Sequence, residues 1–444
     1  MARLFGTDGV RGVAGEELTY ELAYALGAAA VTCLGPEVII GRDSRVSGPM
    51  LEDALCAGIA SCGGTAHVTG IIPTPGIALL AAQGPYGCGI VISASHNPPE
   101  YNGIKFFSAD GYKLPDAVED KMQEVVEELL AKGITAPEER ASREVVEDAQ
   151  EQYIAHAVNV LREQGIGLEG IKIALDCAYG AAYETTPEAL RQLGAEVIAI
   201  NTEPDGELIN VGCGSTHLEP VKALMQDEEA DIALAHDGDA DRLLAVAPDG
   251  TVVDGDYILA ICALDMKQRG VLAANTVVGT VMANLGFMQA MEREGIDVVS
   301  TKVGDRYVLE EMRELGAVIG GEQSGHVILL EHNTTGDGLM TALALLAVVA
   351  RSGKPLSELM QVMRKFPQSL VNVRVTDKSL YEGNEVIADA EQVALEELGD
   401  SGRLLIRASG TEPLIRVMIE ATTQEDADRI ANQLADVVRE QIGA

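Results

Sequence analysis

The chain has 444 residues, 47% of them hydrophobic, which is enough for several packed domains of ordinary size. Acidic residues outnumber basic ones by 69 to 32, so the formal net charge is −37. This excess argues against a nucleic acid or a membrane as partner, because nucleic acids and anionic lipid surfaces both require a basic face. A phosphorylated ligand would need a local cluster of Arg and Lys.

Hydropathy and cysteine usage indicate a cytoplasmic protein. The longest apolar runs, such as residues 339–350, fall well short of the roughly 20 residues that span a bilayer. The N-terminal residues contain no long apolar segment of the kind found in secretory signals. The seven cysteines are odd in number and lack zinc-site spacing, which suggests reduced thiols.

The segment 5–12 is rich in glycine, with Gly6, Gly9 and Gly12 at every third position. It is not a dinucleotide-binding fingerprint, because no strand precedes it. On this segment alone, a flexible N-terminal loop is the simplest interpretation. The residues that follow are typical of a βαβ unit. Its predicted elements are a helix over 18–33, a strand over 38–40, a helix over 49–61 and a strand that begins at 64.

The next predicted strand leads into a polar loop. Residues 90–92 are β-branched, as in a strand buried on both faces, and two consecutive prolines soon afterwards prevent a ladder or a helix. Ser95, His96 and Asn97 therefore lie at the carboxyl end of a strand, where ligands bind in open α/β sheets. Lys105 follows ten residues after Ser95. A plain surface turn fits this stretch alone equally well.

The strand–loop–helix–Gly–strand order recurs twice. After a charged helix over 115–131 and an acidic linker over 136–148, it is predicted over 171–198 and again over 276–299. We therefore expect three similar βαβ domains with mixed, mostly parallel sheets. A smaller α+β domain follows, with strands over 404–407 and 414–419 and a helix over 424–441. The predicted domain boundaries are 1–148, 149–250, 251–366 and 367–444.

Three carboxylates occupy alternate positions in a loop of the second domain. Asp237, Asp239 and Asp241 lie between the predicted strands 232–235 and 243–246. They repel one another unless a cation is bound, and hard oxygen ligands of this kind suit Mg²⁺. An acidic surface turn is the alternative.

The third domain has a polar loop bracketed by glycines. Glu322, Ser324 and His326 lie between the strand-like stretches 317–319 and 327–330. These side chains suit contacts to sugar hydroxyls, but they also suit any polar turn.

The C-terminal domain carries a basic loop. Arg407, Ser409, Gly410 and Thr411 are followed by Arg416. Two guanidiniums supply bidentate charge, the hydroxyls donate, and the glycine allows close backbone approach, so this loop is typical of a phosphate site. A structural turn is the alternative. Taken together, the four loops describe phosphoryl transfer to a phosphorylated polyol.

The four loops, in this order, resemble those of the α-D-phosphohexomutases over essentially the whole chain. Segments 5–12, 176–183 and 213–217 resemble the bacterial phosphoglucosamine mutase branch of that family. One departure is Ala240, where the branch usually has glycine, and another is Tyr179. A methyl group at Ala240 should leave the carboxylates in place. The resemblance implies the fold predicted above, with the active site in a central cleft.

The resemblance also implies an activity, the interconversion of glucosamine 6-phosphate and glucosamine 1-phosphate for cell-wall amino sugars. The resemblance implies that Ser95 is phosphorylated. It also implies a hexose 1,6-bisphosphate, which is the reaction intermediate and the activator. It implies one Mg²⁺ per chain, held by Ser95, Asp237, Asp239 and Asp241. The implied catalytic residues are Ser95, His96, Lys105 and Arg11. The implied substrate-binding residues are Glu322, Ser324, His326, Arg407, Ser409, Gly410, Thr411 and Arg416. The expected partner is a small sugar phosphate, and a homodimer is compatible with the resemblance.

Other functions are less compatible with the sequence. A serine hydrolase would need a Gly-x-Ser-x-Gly elbow, which does not occur. A P-loop enzyme would need a Gly-Lys-Ser/Thr sequence, whereas the only Gly-Lys pair precedes a proline. A sugar-phosphate-binding protein without activity could dispense with Ser95 and the carboxylates. Within the enzyme class, a phosphoglucomutase/phosphomannomutase is the alternative.

Overall fold

The computed structural model describes residues 3–135, 140–409 and 413–444. The chain forms two compact units. The first comprises the described residues up to 282 together with 296–362, and the second comprises 283–295 and the described residues from 363 onwards. The first unit contains three sheets and the second contains one.

The first sheet has six strands in the order β1-β5-β4-β2-β3-β6. Strands β2, β3, β4 and β6 run parallel, whereas β5 is antiparallel to β4 and β1 is antiparallel to β5. All five residues of β4 are buried, as the β-branched run predicted. The elements are β1 (Val10–Val13), α1 (Tyr20–Cys33), β2 (Glu37–Arg42), α2 (Gly48–Ser61), β3 (Thr65–Ile71), α3 (Thr74–Gln83), β4 (Cys88–Ile92), β5 (Tyr101–Ser108), α4 (Asp116–Lys132) and β6 (Glu144–Val145).

The second sheet has five strands in the order β11-β10-β9-β7-β8. Strand β7 is parallel to β8 and β9, and β10 is antiparallel to β9 and β11. The elements are α5 (Ala149–Glu163), β7 (Lys172–Asp176), α6 (Thr185–Gln192), β8 (Glu196–Ile200), α7 (Glu219–Asp227), β9 (Ile232–His236), β10 (Leu243–Val246) and β11 (Val252–Val253).

The third sheet has four strands in the order β13-β12-β14-β15, and only β15 is antiparallel to its neighbour. Helix α9, which follows β12 in the chain, belongs to the second unit. The elements are α8 (Gly255–Arg269), β12 (Thr276–Thr280), α9 (Leu285–Arg293), β13 (Asp297–Thr301), α10 (Asp305–Leu315), β14 (Ile319–Gly321), β15 (Val327–Leu329), α11 (Gly338–Ser352) and α12 (Leu356–Leu359).

The same arrangement occurs in all three sheets. Three parallel strands, β3-β2-β4, β8-β7-β9 and β13-β12-β14, are each followed by an antiparallel strand, β5, β10 or β15. The connection into that antiparallel strand is in each case one of the polar loops found in the sequence. The prediction of three similar, mixed sheets is therefore confirmed, and the repeated topology puts the three loops in equivalent places.

The second unit contains an antiparallel sheet in the order β16-β18-β17, packed on α13 and α14. Val417, Ile430 and Leu434 lie in its core. Strand β16 and helix α13 were not predicted, whereas the last two strands and the last helix were. The elements are β16 (Gln368–Arg374), α13 (Glu385–Leu398), β17 (Arg403–Ala408), β18 (Leu414–Glu420) and α14 (Gln424–Ile442).

The prediction of a loop over residues 5–12 was wrong for its last three residues. Part of that segment is strand β1, in which Val10 pairs with Ile104 and Arg11 with Gly103. The partner strand lies far along the chain, so no local sequence pattern predicts the pairing of the two strands. Among the described residues, no single helix has the length and apolar character to cross a membrane. One bent pair, α11 with 356–362, passes the length and composition criteria.

Candidate active site

The serine loop joins β4 to β5 and holds Ser95 in an uncommon conformation. The φ angle of Ser95 is 54°, and a left-handed backbone costs a non-glycine residue roughly 1–2 kcal/mol. The Ser95 N–H donates to Ser93 Oγ at 2.9 Å, and Ser93 Oγ donates to Asp43 Oδ2 at 2.6 Å. Local hydrogen bonds therefore stabilise a strained backbone, which is common at functional sites.

The Ser95 hydroxyl contacts the carboxylate loop of the second sheet. Its Oγ donates to Asp237 Oδ2 at 2.6 Å, and His96 Nδ1 lies 3.3 Å from the same oxygen. A hydroxyl has one proton, so while Ser95 donates to Asp237 the imidazole can only donate to Ser95. Burial raises the pKa of Asp237 well above its usual range, and Asp241 and Asp239 raise it further.

The three aspartates form a cluster that can hold a metal ion. One oxygen from each of Asp237, Asp239 and Asp241 lies within 4.8 Å of the others, and all three residues are buried. The Oδ1 atoms of Asp239 and Asp241 are buried and have no hydrogen-bond partner among the described residues. Buried carboxylate oxygens left without donors fit a hard divalent cation. Ala240, between them, has φ 56°, so the backbone there adopts the region that glycine favours.

Lys105 and Thr74 contact the same cluster. Lys105, on β5, is 2% exposed, and its Nζ lies 2.8 Å from Asp239 Oδ2, 3.3 Å from Asp241 Oδ2 and 3.1 Å from Asp8 Oδ2. Thr74 Oγ1, at the start of α3, donates to Asp239 Oδ2 at 2.6 Å. Burial would raise the pKa of Asp239, but Lys105 outweighs it and lowers this pKa to about 2. Burial would lower the pKa of Lys105, but the carboxylates raise it well above its usual range.

Asp8 organises the basic side chains next to this cluster. It pairs with Arg11, on β1, and it accepts from Lys113 Nζ at 2.6 Å. Burial opposes ionisation of Asp8, yet Lys105, Lys113 and Arg11 together lower its pKa well below the usual range. Sequence reasoning missed Asp8 and Lys113. The signal for Asp8 was its position inside the glycine-rich segment.

His96 is neutral near pH 7. Burial and, to a lesser extent, the nearby cations Arg242 and Arg11 lower its pKa to about 4. Arg242 itself ends the carboxylate loop, where its N–H donates to Asp237 Oδ1 at 3.2 Å. A neutral imidazole next to the Ser95 oxygen can accept or donate a proton.

The third polar loop, between β14 and β15, is attached to the strand that follows the carboxylates. Gly325 accepts from the Leu243 N–H at 3.0 Å, and its φ is 91°. A Cβ at Gly325 would collide with the Leu243 carbonyl oxygen, so this close approach requires glycine. Glu322 Oε1 accepts from the Gly304 N–H at 3.1 Å. The buried Oγ of Ser324 has no hydrogen-bond partner in the described part of the chain.

A cavity of about 490 Å³ lies between the N-terminal segment, the end of the carboxylate loop and the third polar loop. His326 lies on its wall, 3.4 Å from Asp305 Oδ2, and Lys113 pairs with the same aspartate. Asp305 was also missed by sequence reasoning, although it begins α10 directly after a strand–loop connection. Ser95, Lys105, Asp237 and Asp239 do not line this cavity. The lining residues are Arg3, Leu4, Gly6, Thr7, Asp8, Gly9, Arg11, Asp241, Arg242, Val303, Gly304, Asp305, Glu322 and His326.

In the second unit, two arginines lie directly opposite each other. Arg407 on β17 pairs in register with Arg416 on β18. Burial lowers the pKa of Arg407, and the neighbouring Arg416 charge lowers it further. The carbonyl oxygen of Ser409 accepts from Lys378 Nζ at 2.6 Å. The predicted residues Gly410 and Thr411 lie outside the described residues.

Four family models match consecutive segments of the chain. All four describe the phosphoglucomutase/phosphomannomutase family: its α/β/α domains I, II and III match residues 2–132, 151–250 and 254–366, and its C-terminal domain matches 370–437. The chain belongs to this phosphohexomutase family. Its members are isomerases that act as intramolecular phosphotransferases.

Curated relatives match this phosphohexomutase over its whole length. A phosphoglucosamine mutase of Symbiobacterium thermophilum is 52% identical and covers 100% of both chains. Another, of Clostridium tetani, is 50% identical and covers 99% of both chains.

Solved structures share the fold. A phosphoglucomutase/phosphomannomutase family protein of Burkholderia thailandensis has a TM-score of 0.81 and 26% identity, and the match covers 99% of this chain and 97% of that one. The N-acetylphosphoglucosamine mutase of Aspergillus fumigatus, solved in complex with GlcNAc-6P and magnesium, has a TM-score of 0.67 and 18% identity, covering 99% and 96%. A structure of a variant of that enzyme contains glucose 1,6-bisphosphate.

Proposed function

We propose that this phosphohexomutase is a phosphoglucosamine mutase, which interconverts glucosamine 6-phosphate and glucosamine 1-phosphate through a phosphoserine at Ser95. The observation that carries the proposal is the 2.6 Å hydrogen bond between Ser95 Oγ and Asp237 Oδ2. This bond places a nucleophilic hydroxyl next to three carboxylates that are suited to bind a metal ion. Relatives named phosphoglucosamine mutase, about 50% identical along the whole chain, support the choice of substrate.

The reaction consists of two phosphoryl transfers. In the first, the P–O bond to Ser95 breaks as the free hydroxyl of the sugar monophosphate attacks, which yields a 1,6-bisphosphate and the Ser95 hydroxyl. The bisphosphate then turns end over end. In the second transfer, Ser95 Oγ accepts the other phosphoryl group, and the isomeric monophosphate leaves. Each transfer forms one P–O bond and breaks one, so the enzyme returns to its phosphorylated state.

Charge compensation decides which groups must surround Ser95. A phosphoserine carries about −2 charge near neutral pH, and it would lie beside three carboxylates. Asp237, Asp239 and Asp241, with an oxygen of the Ser95 phosphate, would hold Mg²⁺, which stabilises the charge that develops on the phosphoryl oxygens. Lys105 contributes further positive charge, because it contacts Asp239 and Asp241 directly.

Proton transfer falls to the residues next to Ser95. The sugar hydroxyl loses its proton as it attacks phosphorus, and Ser95 Oγ must lose one when it becomes the acceptor. His96 is neutral because its pKa is about 4. Its Nδ1 lies 3.3 Å from Ser95 Oγ and can take up the proton in the tautomer that leaves Nδ1 unprotonated. Lys105 remains protonated and can donate a proton or stabilise negative charge. Arg11, on the cavity wall, supplies charge towards the transferring group.

The remaining polar loops bind substrate. Glu322, Ser324 and His326 would bind hydroxyls of the sugar ring. The other phosphate, the one that does not react, would bind the C-terminal loop through Arg407, Ser409, Gly410, Thr411 and Arg416. We propose that the four predicted domains, with boundaries at 148, 250 and 366, each contribute one of these loops. Since the bisphosphate turns over, the 1- and 6-phosphates would use the same two sites alternately.

The decisive experiment compares substrates. We expect kcat/KM for glucosamine 1-phosphate to exceed that for glucose 1-phosphate and mannose 1-phosphate, with glucose 1,6-bisphosphate added to prime Ser95. The 2-amino group is cationic near neutral pH, and the cavity wall carries carboxylates at Asp241, Asp305 and Glu322. A higher kcat/KM for either hexose phosphate would reject glucosamine specificity and favour phosphoglucomutase/phosphomannomutase activity, while turnover of none would reject the mutase proposal.

A further inference from the structure

Two buried side chains outside the proposed machinery hold the serine loop by its backbone. Arg45 Nη2 donates to the Ser95 carbonyl oxygen at 3.0 Å and to the Asn97 carbonyl oxygen at 2.8 Å. Asn210 Nδ2 donates to the same two oxygens, at 2.9 and 3.1 Å. Each carbonyl therefore accepts one hydrogen bond from the first sheet's own loop and one from the second domain.

All three guanidinium nitrogens of Arg45 donate hydrogen bonds to the serine loop or to the residues that support it. It has 0% exposure, and Nε donates to Asp43 Oδ2 at 2.9 Å. Nη1 donates to the Tyr101 carbonyl oxygen at 2.9 Å and also to that of Pro98. A planar, always charged fork can hold several carbonyls at fixed relative positions, which a lysine cannot do. The loop that positions Ser95 is therefore wrapped around Arg45.

Asn210 approaches from a segment between β8 and α7. It is 7% exposed, with φ 62°, and its own N–H donates to the Ala178 carbonyl oxygen at 3.1 Å. Gly238 of the carboxylate loop packs against the same contact, because a Cβ there would lie 2.8 Å from both Asn210 Nδ2 and the Ser95 carbonyl oxygen. Asn210 thus connects the serine loop to the domain that carries the three aspartates.

We propose that Arg45 and Asn210 are positioning residues that set the Ser95 oxygen against the Asp237 carboxylate. The inference rests on the proposed mutase function, because it concerns the geometry of phosphoryl transfer at Ser95. Neither side chain lines the 490 Å³ cavity. Losing either one should therefore change the rate of transfer and leave the affinity for the sugar phosphate intact.

Asn210 is the better residue for a test. Truncating the larger, fully buried Arg45 would leave a cavity that could destabilise the fold as well as change the position of Ser95. We expect Asn210→Ala to lower kcat roughly 10- to 100-fold, the effect of a small misplacement of a reacting group. KM and the calorimetric Kd for glucosamine 1-phosphate should stay near the wild-type values. Asn210→Asp should lose more activity than Asn210→Ala, because it places a carboxylate against two carbonyl oxygens.

Asn201→Ala is the matched control. Asn201 also has a left-handed backbone, with φ 53°, and donates to Asp176 Oδ1 at 2.9 Å, a contact within the same domain. The alanine variants therefore share the same backbone penalty, but only Asn210→Ala removes bonds to the serine loop. Wild-type kcat in Asn210→Ala, or equal losses of kcat in the Asn210→Ala and Asn201→Ala proteins, would overturn the proposal.

A second readout separates this inference from the choice of substrate. Intact mass spectrometry after mixing with glucose 1,6-bisphosphate follows transfer of one phosphoryl group to Ser95 without any turnover of glucosamine phosphate. We expect slower transfer in Asn210→Ala than in Asn201→Ala. Equal transfer rates would reject the positioning role. A wild-type protein that becomes phosphorylated but does not isomerise glucosamine phosphate would reject only the proposed substrate.

Discussion

The Ser95 site and the C-terminal arginine pair differ in their charge arrangement: the first combines opposite charges, and the second places like charges side by side. At the first, carboxylates and cations converge: Lys105 alone contacts Asp8, Asp239 and Asp241. At the second, two like charges oppose each other across neighbouring strands, Arg407 and Arg416. Lys105, Asp239 and Asp241 are almost fully buried and Asp8 is half-buried, whereas both arginines are partly exposed to solvent.

Under the proposed function, this difference fits different roles in one reaction. Buried ions are tolerated only when opposite charges compensate them, so the Ser95 site is organised before substrate arrives. Like charges held together lower the pKa of Arg407, and such a pair gains most when it binds an anion such as phosphate. The Ser95 site would therefore control the chemical step, and the arginine pair would control binding.

The largest expected effect concerns the serine. Ser95→Ala should lower turnover by roughly three orders of magnitude or more, because no hydroxyl remains to carry the phosphoryl group. Binding of glucosamine 1-phosphate should persist, since Ser95 does not line the cavity. Steady-state kinetics and calorimetry measure the two quantities separately. Wild-type turnover in this variant would remove Ser95 from the mechanism.

Metal removal should have an effect nearly as large. Chelation with EDTA should stop turnover and added Mg²⁺ should restore it, because the buried Oδ1 atoms of Asp239 and Asp241 have no hydrogen-bond partner among the described residues. Calorimetric titration with Mg²⁺ gives a readout independent of activity, and Asp239→Asn should weaken that binding. Full activity after rigorous chelation would contradict an essential metal at the three aspartates.

The arginine pair should affect affinity for both isomers. Arg416→Ala removes a charge-assisted hydrogen bond, which costs roughly 1.5–3 kcal/mol, or about ten- to a hundredfold in Kd. The 1- and 6-phosphates should weaken alike, since each would place its unreactive phosphate there. Arg374→Ala, an exposed position on β16 of the same sheet, is the control and should bind normally. Damage confined to one isomer would contradict a shared phosphate site.

The smallest expected effect is a pH dependence of stability at the Ser95 site. His236 lies behind the carboxylate loop, between the Arg242 carbonyl oxygen at 3.1 Å and Thr186 Oγ1 at 3.1 Å. Burial lowers its pKa from 6.5 to about 4. Between these values the unfolded chain binds the proton and the folded one does not, so stability falls as pH falls through this range.

The slope should not exceed about 1.4 kcal/mol per pH unit for this group, and His236→Asn should reduce it. Melting temperatures measured across the range test this, with His217→Asn, at an exposed histidine, as the control. A slope unchanged in His236→Asn, but reduced in His217→Asn, would show that the buried histidine is not the group that titrates.

Much of the fold was determined by local sequence. The β-branched run before Ser95, the alternate aspartates and the bracketing glycines of the third loop each indicate a local strand or turn. Three similar mixed sheets were predicted from the strand–loop–helix–Gly–strand order, which recurs over 171–198 and 276–299. The family resemblance then supplied the candidate roles. Strand β1 escaped prediction because its partner, β5, lies about ninety residues further along the chain and neither segment shows a clear alternation.

Which side chains meet at the Ser95 site was decided only by the tertiary structure. The sequence identified Ser95, Lys105 and the aspartates. It did not reveal that Asp8 contacts three cations or that Asn210, 115 residues from Ser95, donates to the Ser95 carbonyl oxygen. A residue's type and neighbours determine strands, turns and chemical capacity because those depend on short-range interactions. Contacts between distant segments depend on how whole sheets pack, which no local pattern encodes.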